Sequence, residues 1–287
     1  MRTVRFKQVD VFTARPFLGN PVAVILDAQG LSDDEMARIA AWTNLSETTF
    51  VLPSSRASYR LRIFTPRAEI PFAGHPTIGS AHAVREAGLV AGGAGDLVQE
   101  CAAGLIPLSV AADGTINARV PRPRLTPFPA GRLLNQALGT AAQDPRVVDV
   151  GPRWVVADVA NGETLRRLAV DLRAIAALNR ETDTTGVTVY AATAEGVEVR
   201  SFAPLHGIDE DPVCGSGNAC VGAHLRATGG IARFPGGRYL ARQGGALGRA
   251  GEIHVVVGDG GQDGGGDGEV SIGGAAITLI DGTIRLD

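Results

Sequence analysis

An internal echo constrains this chain more than any other feature of its sequence. Arg62-Ile63-Phe64-Thr65-Pro66 returns as Arg200-Ser201-Phe202-Ala203-Pro204, the same Arg-x-Phe-x-Pro pattern. Each copy leads shortly into a glycine turn and a run of small residues. The first turn is Ala73-Gly74-His75-Pro76 and the second is Cys214-Gly215-Ser216-Gly217. Duplication at so long a period points to two pseudo-symmetric lobes rather than a solenoid. The 287 residues suffice for two such lobes.

The local patterns agree with that reading. The 38 glycines and 16 prolines are spread along the chain, which suits many short strands joined by tight turns. Alternation predicts strands at 4–12, 22–26, 48–52 and 59–65, with a turn at Gly19-Asn20-Pro21. Ser32 followed by Glu35 reads as a capping box opening a helix with the apolar stripe Met36, Ile39, Ala40, ending near Thr43-Asn44. Residues 78–84 are small and apolar on every face, as in a buried helix against which other backbones pack closely. Strand-like segments follow at 97–101, 105–111 and 115–120, and the proline-rich 121–127 reads as an extended crossover. The second half repeats the outline: strand 153–159, helix 171–178, strands 187–192 and 197–202, and a small-residue helix from 217 to about 227. Late strands fall near 238–242, 253–257, 269–273 and 277–286. These signals place one lobe at 1–122 and the other at 128–274. The Gly/Asp-rich stretch 258–268 reads as a flexible hairpin loop, and its acidic spacing does not fit an EF-hand.

Composition narrows the function classes. With 27 basic against 30 acidic residues and a net charge of −3, nothing attracts nucleic acid or an anionic membrane. No apolar run approaches the roughly 20 residues that cross a bilayer, and the N-terminus moves directly into a strand pattern. Three scattered cysteines (Cys101, Cys214, Cys220) make no disulfide framework, so a cytoplasmic home is expected. His82 and His224 lack a second ligand at metal spacing and read as packing residues, and the glycines at 215 and 217 lack the preceding strand and complete GxGxxG of a dinucleotide site.

The chemistry of the echo is anionic recognition. A glycine turn opening a helix leaves backbone N–H groups unpaired at the positive end of the macrodipole, where a carboxylate binds well. Two such corners facing each other would clamp a small anion at Gly74 and at Gly215 with Gly217. Glu47 sits between a helix end and a strand in an otherwise uncharged setting, where burial would raise its pKa and suit it to accept and donate protons. His75 lies at a helix start whose field disfavours the imidazolium, which predicts a neutral ring. Asp211 precedes Pro212 and the second helix start, and either orients a catalytic group or caps the turn. Ser216 can donate a hydroxyl to a substrate carboxylate. Cys214 lies beside a helix N-terminus, where a thiolate is stabilised, or is simply a small buried residue.

At these residues the chain resembles the phenazine-biosynthesis PhzF-like isomerases. The resemblance is carried by Asp10-Val11-Phe12 with Gly19-Asn20-Pro21-Val22-Ala23-Val24, by Asn44-Leu45-Ser46-Glu47-Thr48-Thr49-Phe50, by residues 62–79 with Phe72-Ala73-Gly74-His75-Pro76-Thr77, and by Glu210-Asp211-Pro212-Val213-Cys214-Gly215-Ser216-Gly217. It implies the diaminopimelate epimerase fold, an α+β architecture of two lobes, each a curved, mostly antiparallel sheet around a central helix. The active site lies between the lobes, and the last strand, within 275–287, returns to the first lobe. It also implies a homodimer and catalysis without metal or organic cofactor. Glu47 matches the family's acid/base, which takes a proton from one substrate carbon and returns one elsewhere. His75, Asp211 and Ser216 match residues that orient the substrate and assist proton movement, while Gly74 and Gly215 match backbone anion contacts. Asn20 and Cys214 fall in the matching substrate-binding positions.

One departure matters. Related epimerases and racemases place a cysteine before the glycine in each half; here the second half has Cys214 but the first has Ala73. A two-thiol racemase mechanism is therefore broken. Three readings remain at this level: a cofactor-independent isomerase using Glu47 on a small carboxylate, a one-thiol epimerase or dehydratase of an amino or imino acid using Cys214, and a non-catalytic small-molecule-binding homologue.

Overall fold

The computed structural model describes residues 2–90, 94–258 and 268–286. The chain divides into two compact units, residues 1–119 with 273–287 and residues 120–272. In the first, the order is β1 (Thr3–Val11), β2 (Asn20–Ile25), α1 (Asp33–Thr43), β3 (Thr48–Leu52), β4 (Tyr59–Phe64), β5 (Glu69–Ile70), α2 (Gly74–Glu86), β6 (Gly95–Cys101), β7 (Gly104–Val110) and β8 (Ile116–Arg119). The second runs β9 (Arg124–Pro127), α3 (Gly131–Leu138), β10 (Gln143–Asp149), β11 (Arg153–Asp158), α4 (Gly162–Arg166), α5 (Leu172–Thr182), β12 (Gly186–Thr193), β13 (Gly196–Ala203), β14 (Ile208–Asp211), α6 (Gly215–Ala227), β15 (Arg238–Gln243), β16 (Gly251–Val257) and β17 (Val270–Gly274). The last strand, β18 (Ala276–Arg285), pairs antiparallel with β1 over its whole length, Thr3 opposite Arg285 and Val11 opposite Ala276.

Strand pairing makes the echo structural. The first unit reads β18-β1-β2-β3-β4-β6-β7-β8, antiparallel except at β2/β3 and β4/β6. The second reads β9-β10-β11-β12-β13-β15-β16, antiparallel except at β11/β12 and β13/β15. The parallel pairs occupy equivalent places because each is bridged by a helix, as a parallel crossover requires. α1 and α5 connect one such pair in each unit, α2 and α6 the other.

The Arg-x-Phe-x-Pro motif has a physical role in both copies. Arg and Phe, two residues apart on a strand, share one face, and each guanidinium lies over its phenyl ring at 5.1 Å. Each arginine also grips a carboxylate on the short returning strand with two parallel bonds. Arg62 takes Glu69 at 2.8 and 2.6 Å, and Arg200 takes Glu210 at 2.9 and 2.7 Å. The proline then ends the strand. This clamp fixes the corner from which α2 or α6 departs.

Both of those helices are sheathed by sheet. α2 touches β1, β2, β3, β4, β8 and β18, and nearly all its residues are buried. Only a glycine fits at position 79, where a Cβ would lie 2.5 Å from Val22 Cγ1 and 2.8 Å from Val11 Cγ2. α6 is buried from Gly215 to Leu225 against β10, β11, β12 and β16. The amphipathic helices lie elsewhere: α1 buries Met36, Ile39 and Ala40 against Ile25, Phe50 and Phe64, while α3 and α5 bury Leu134, Leu138, Ile175 and Leu178 against β11, β12 and Phe202.

Two local expectations need correcting. The stretch at 121–127 is not simply a crossover, because its last four residues form β9, with Leu125 opposite Val148 and Thr126 opposite Val147. Its prolines are tolerated since an edge strand leaves one row of backbone groups unpaired. The helices α3 and α4 and the strand β10 were not anticipated at all. The glycine-rich stretch 258–268 falls, for 259–267, outside the described residues.

Candidate active site

In the first unit, three segments bring Asn20, Glu47 and His75 together. α1 ends on its capping box partner's far side at Asn44, in the left-handed conformation with φ 53°. The chain then turns so that Glu47 directly precedes β3 and its carbonyl accepts from Ala23 N of the parallel neighbour β2. Asn20 opens β2, and His75 is the second residue of α2. His75 Nε2 stands 3.3 Å from Glu47 Oε2, and Asn20 Nδ2 stands 3.3 Å from His75 Nδ1. The Glu47 side chain keeps 12% of its exposure and that of His75 5%, so the pair is lodged in protein.

Burial pushes the His75 pKa down to about 3, partly opposed by a hydrogen bond to the Pro21 carbonyl. At neutral pH the contact is therefore one between a neutral imidazole and a carboxyl, not a salt bridge. The neutral ring is as expected, with burial as its main cause. Next to it, Ala73 gives α2 no side-chain cap, so the N–H groups of the first turn at Gly74 and His75 are left for an anion.

The second unit builds a different half-site on the equivalent corner. Asp211 ends β14, and its Oδ1 accepts from Val213 N at 3.0 Å. Cys214 caps α6, its Sγ accepting from Gly217 N at 3.3 Å, with Ser216 Oγ 3.7 Å away. Gly217 is required here, because a Cβ would lie 2.7 Å from Thr188 Oγ1 and 2.9 Å from Ser201 Oγ. Gly215 opens the helix. All five sequence-selected residues of this unit thus meet at one helix tip.

Of the two readings of Cys214, a stabilised thiolate and a small buried residue, the structure favours the second. Burial, then the Asp211 carboxylate, pushes the thiol far up; the Gly217 N–H and the Ser216 hydroxyl offset this only in part. The helix-end field is local and small beside the loss of solvent. Cys101 and Cys220 are buried thiols as well. His82 hydrogen-bonds Thr278, and His224 is held between Tyr190 and the Asp144 carbonyl, both as packing residues. Among the described residues no group of three or more His, Cys, Asp or Glu could hold a metal ion, and no helix is long and apolar enough to cross a membrane.

Two residues of the second half-site escaped sequence reasoning. Gln243, buried at the end of β15, braces the turn at both ends: Oε1 accepts from Cys214 N at 3.1 Å and from Asn218 Nδ2 at 2.8 Å, while Nε2 donates to the Asp211 carbonyl at 2.8 Å. Trp154, buried on β11, donates Nε1–H to Ser216 Oγ at 3.1 Å. Nothing local in the sequence distinguishes either from a core or surface residue of its type.

Asp211 gives a pH prediction. Burial raises its pKa to about 6, against the opposing bonds from Cys214 and Val213 N–H. A carboxyl raised in the folded state stabilises most below its unfolded pKa of about 3.9, and that contribution is lost as pH rises through about 6. Asp211→Asn is therefore expected to be nearly neutral for stability at pH 4 and stabilising by about 2–3 kcal/mol at pH 8. Urea unfolding at the two pH values checks this, and an equal shift at both would contradict it.

Two units built on one plan, one presenting a carboxyl–imidazole pair and the other a hydroxyl and a carboxyl at helix tips, define a two-lobed isomerase or epimerase of the diaminopimelate epimerase type. The family model described as phenazine biosynthesis-like protein, PhzC-PhzF, matches residues 9–282, and the chain belongs to that family. It is 42% identical over 235 residues to antisense-enhancing sequence 1 of Schizosaccharomyces pombe (77% of this chain, 79% of the relative). It is 34% identical over 231 residues to trans-2,3-dihydro-3-hydroxyanthranilate isomerase of Pseudomonas aeruginosa (77% and 79%). The crystal structure of a PhzF-family phenazine biosynthesis protein from Bacillus anthracis covers all of both chains with a TM-score of 0.86 at 26% identity. The protein is an isomerase of this family.

Proposed function

We propose that the protein is a cofactor-independent acid/base isomerase of a small, carboxylate-bearing substrate, with Glu47, His75, Asp211 and Ser216 as its working residues. The observation that carries this reading is the Glu47–His75 pair: a largely buried carboxyl 3.3 Å from an imidazole held neutral, beside a helix start with no side-chain cap. Glu47 as carboxylate removes a proton from a carbon conjugated with the substrate's carboxylate. The electron pair moves into the conjugated system, and the proton returns at another carbon, so no atom is gained or lost. Backbone N–H groups at Gly74 and Gly215 hold the carboxylate as charge builds on it, an effect worth about 3–4 kcal/mol per well-placed donor. Ser216 donates to the substrate, and Asp211, with its pKa near 6, helps orient it as Glu47 returns the proton. The relative from Pseudomonas aeruginosa, named for a dihydro-hydroxyanthranilate, supports a cyclic, conjugated carboxylate as the substrate class.

Proton NMR in heavy water tests the reading. Trans-2,3-dihydro-3-hydroxyanthranilate and a panel of unsaturated cyclic carboxylates are incubated with the protein, and deuterium wash-in is followed at each carbon. The expected result is migration of one hydrogen with solvent label at the new position. Carboxylates that bind but never exchange would refute proton transfer. The one-thiol alternative is weakened by the buried, protonated state of Cys214, and comparing Cys214→Ser with Glu47→Gln separates the two.

A further inference from the structure

We infer that Trp154 is a positioning residue that keeps Ser216 a hydrogen-bond donor toward an anionic ligand at the Gly215 corner. The inference rests on the carboxylate-binding reading above and adds a residue to it. An indole N–H can only donate. With Trp154 Nε1 3.1 Å from Ser216 Oγ, the serine oxygen is the acceptor in that bond and its own proton must point elsewhere. In the protein without ligand, the nearby group able to take that proton is Cys214 Sγ at 3.7 Å, a long contact to a weak acceptor. A carboxylate oxygen arriving at the helix tip offers a shorter, charge-assisted bond and draws the hydroxyl proton to itself.

The seat of the indole is built for this contact. Trp154 is 3% exposed, and it lies opposite Gly186 in the parallel β11/β12 register. A Cβ at position 186 would come within 2.5 Å of Trp154 Cζ3 and 2.3 Å of the Phe202 carbonyl, so a glycine at the start of β12 makes room for the ring. The first unit places a polar group in the same way. Asn20, on the equivalent strand β2, reaches the residue after Gly74, as Trp154 on β11 reaches the residue after Gly215. In each unit the first strand of the parallel pair, β2/β3 or β11/β12, thus contacts the side chain that follows the corner glycine.

The opposite arrangement, with Ser216 present only to satisfy a buried indole, makes different predictions. The test uses the full-length protein, anthranilate as the carboxylate probe, and the variants Trp154→Phe, Ser216→Ala and the double variant. Of the two tryptophans, Trp42 is 79% exposed, so the two indole N–H signals separate in a ¹H–¹⁵N spectrum. Ser216→Ala is expected to move the Trp154 signal and leave that of Trp42 in place. By calorimetry, Trp154→Phe and Ser216→Ala are each expected to weaken anthranilate binding about tenfold, the size of one hydrogen bond to a charged group. The double variant should also lose only about tenfold, since both changes remove the same bond to the ligand. Wild-type affinity in Trp154→Phe, or single losses that multiply to a hundredfold, would overturn the inference while leaving the carboxylate reading intact. Failure of the wild type to bind any carboxylate would remove both.

Discussion

Glu47→Gln is expected to lower turnover by about 10³-fold, in the middle of the range that a positioned general acid/base contributes, while substrate affinity changes little. Glutamine keeps the shape and the hydrogen-bonding reach of the side chain but cannot take up a proton. Its neighbour His75 cannot replace it, because a ring with a pKa near 3 is too weak a base to remove a carbon-bound proton at neutral pH. Single-turnover kinetics on the substrate identified by deuterium exchange, together with calorimetry, separate the chemical step from binding. A Glu47→Gln protein within tenfold of wild type would end the assignment, and the finding that Cys214→Ser is the dead variant would transfer the role of base to the thiol.

Acidification is expected to destabilise the protein through His75. Its folded pKa of about 3 lies below the unfolded value of about 6.5. Below about pH 6.5 the unfolded chain therefore binds a proton that the native ring refuses. The stability tied to the neutral ring is complete above pH 6.5 and is lost progressively as pH falls toward 3. Between pH 7 and pH 4 the loss amounts to about 3 kcal/mol. His75→Gln is expected to remove most of this slope, whereas Asp211 pulls the opposite way over the same interval. Thermal midpoints of wild type, His75→Gln and Asp211→Asn at pH 4, 5.5 and 7 resolve the two contributions. An unchanged pH dependence in His75→Gln would show that the ring is protonated in the fold.

Much of the architecture was legible because its signals are local. Ser32 and Glu35 wrote a capping box that the structure contains at both of its bonds, and the small-residue runs after Gly74 and Gly215 announced helices buried on every side. The Arg-x-Phe-x-Pro echo was visible as a pattern, but its partners Glu69 and Glu210 were not, because they lie across a turn whose geometry the pattern does not state. Residues 124–127 were misread since a proline-rich edge strand and a linker have the same composition. The half-site members divide likewise. Glu47, His75, Asp211, Cys214 and Ser216 stand in motifs, while Trp154 and Gln243 act from 62 and up to 32 positions away and carry no local mark. The protonation state of Cys214 stayed open in the sequence for a related reason: the helix field is a property of the neighbouring residues, but desolvation is a property of the whole packed unit.

The pairing of Thr3 with Arg285 has a consequence for biosynthesis. The first unit receives β18 from beyond the second unit in the sequence, while residues 120–272 form a continuous stretch that is synthesised before it. Domains tend to fold as units during synthesis, so the order of maturation is inverted. Residues 120–272 can settle first, and the carboxyl–imidazole pair reaches its finished surroundings only once residues 276–285 have been made and β18 docks beside β1.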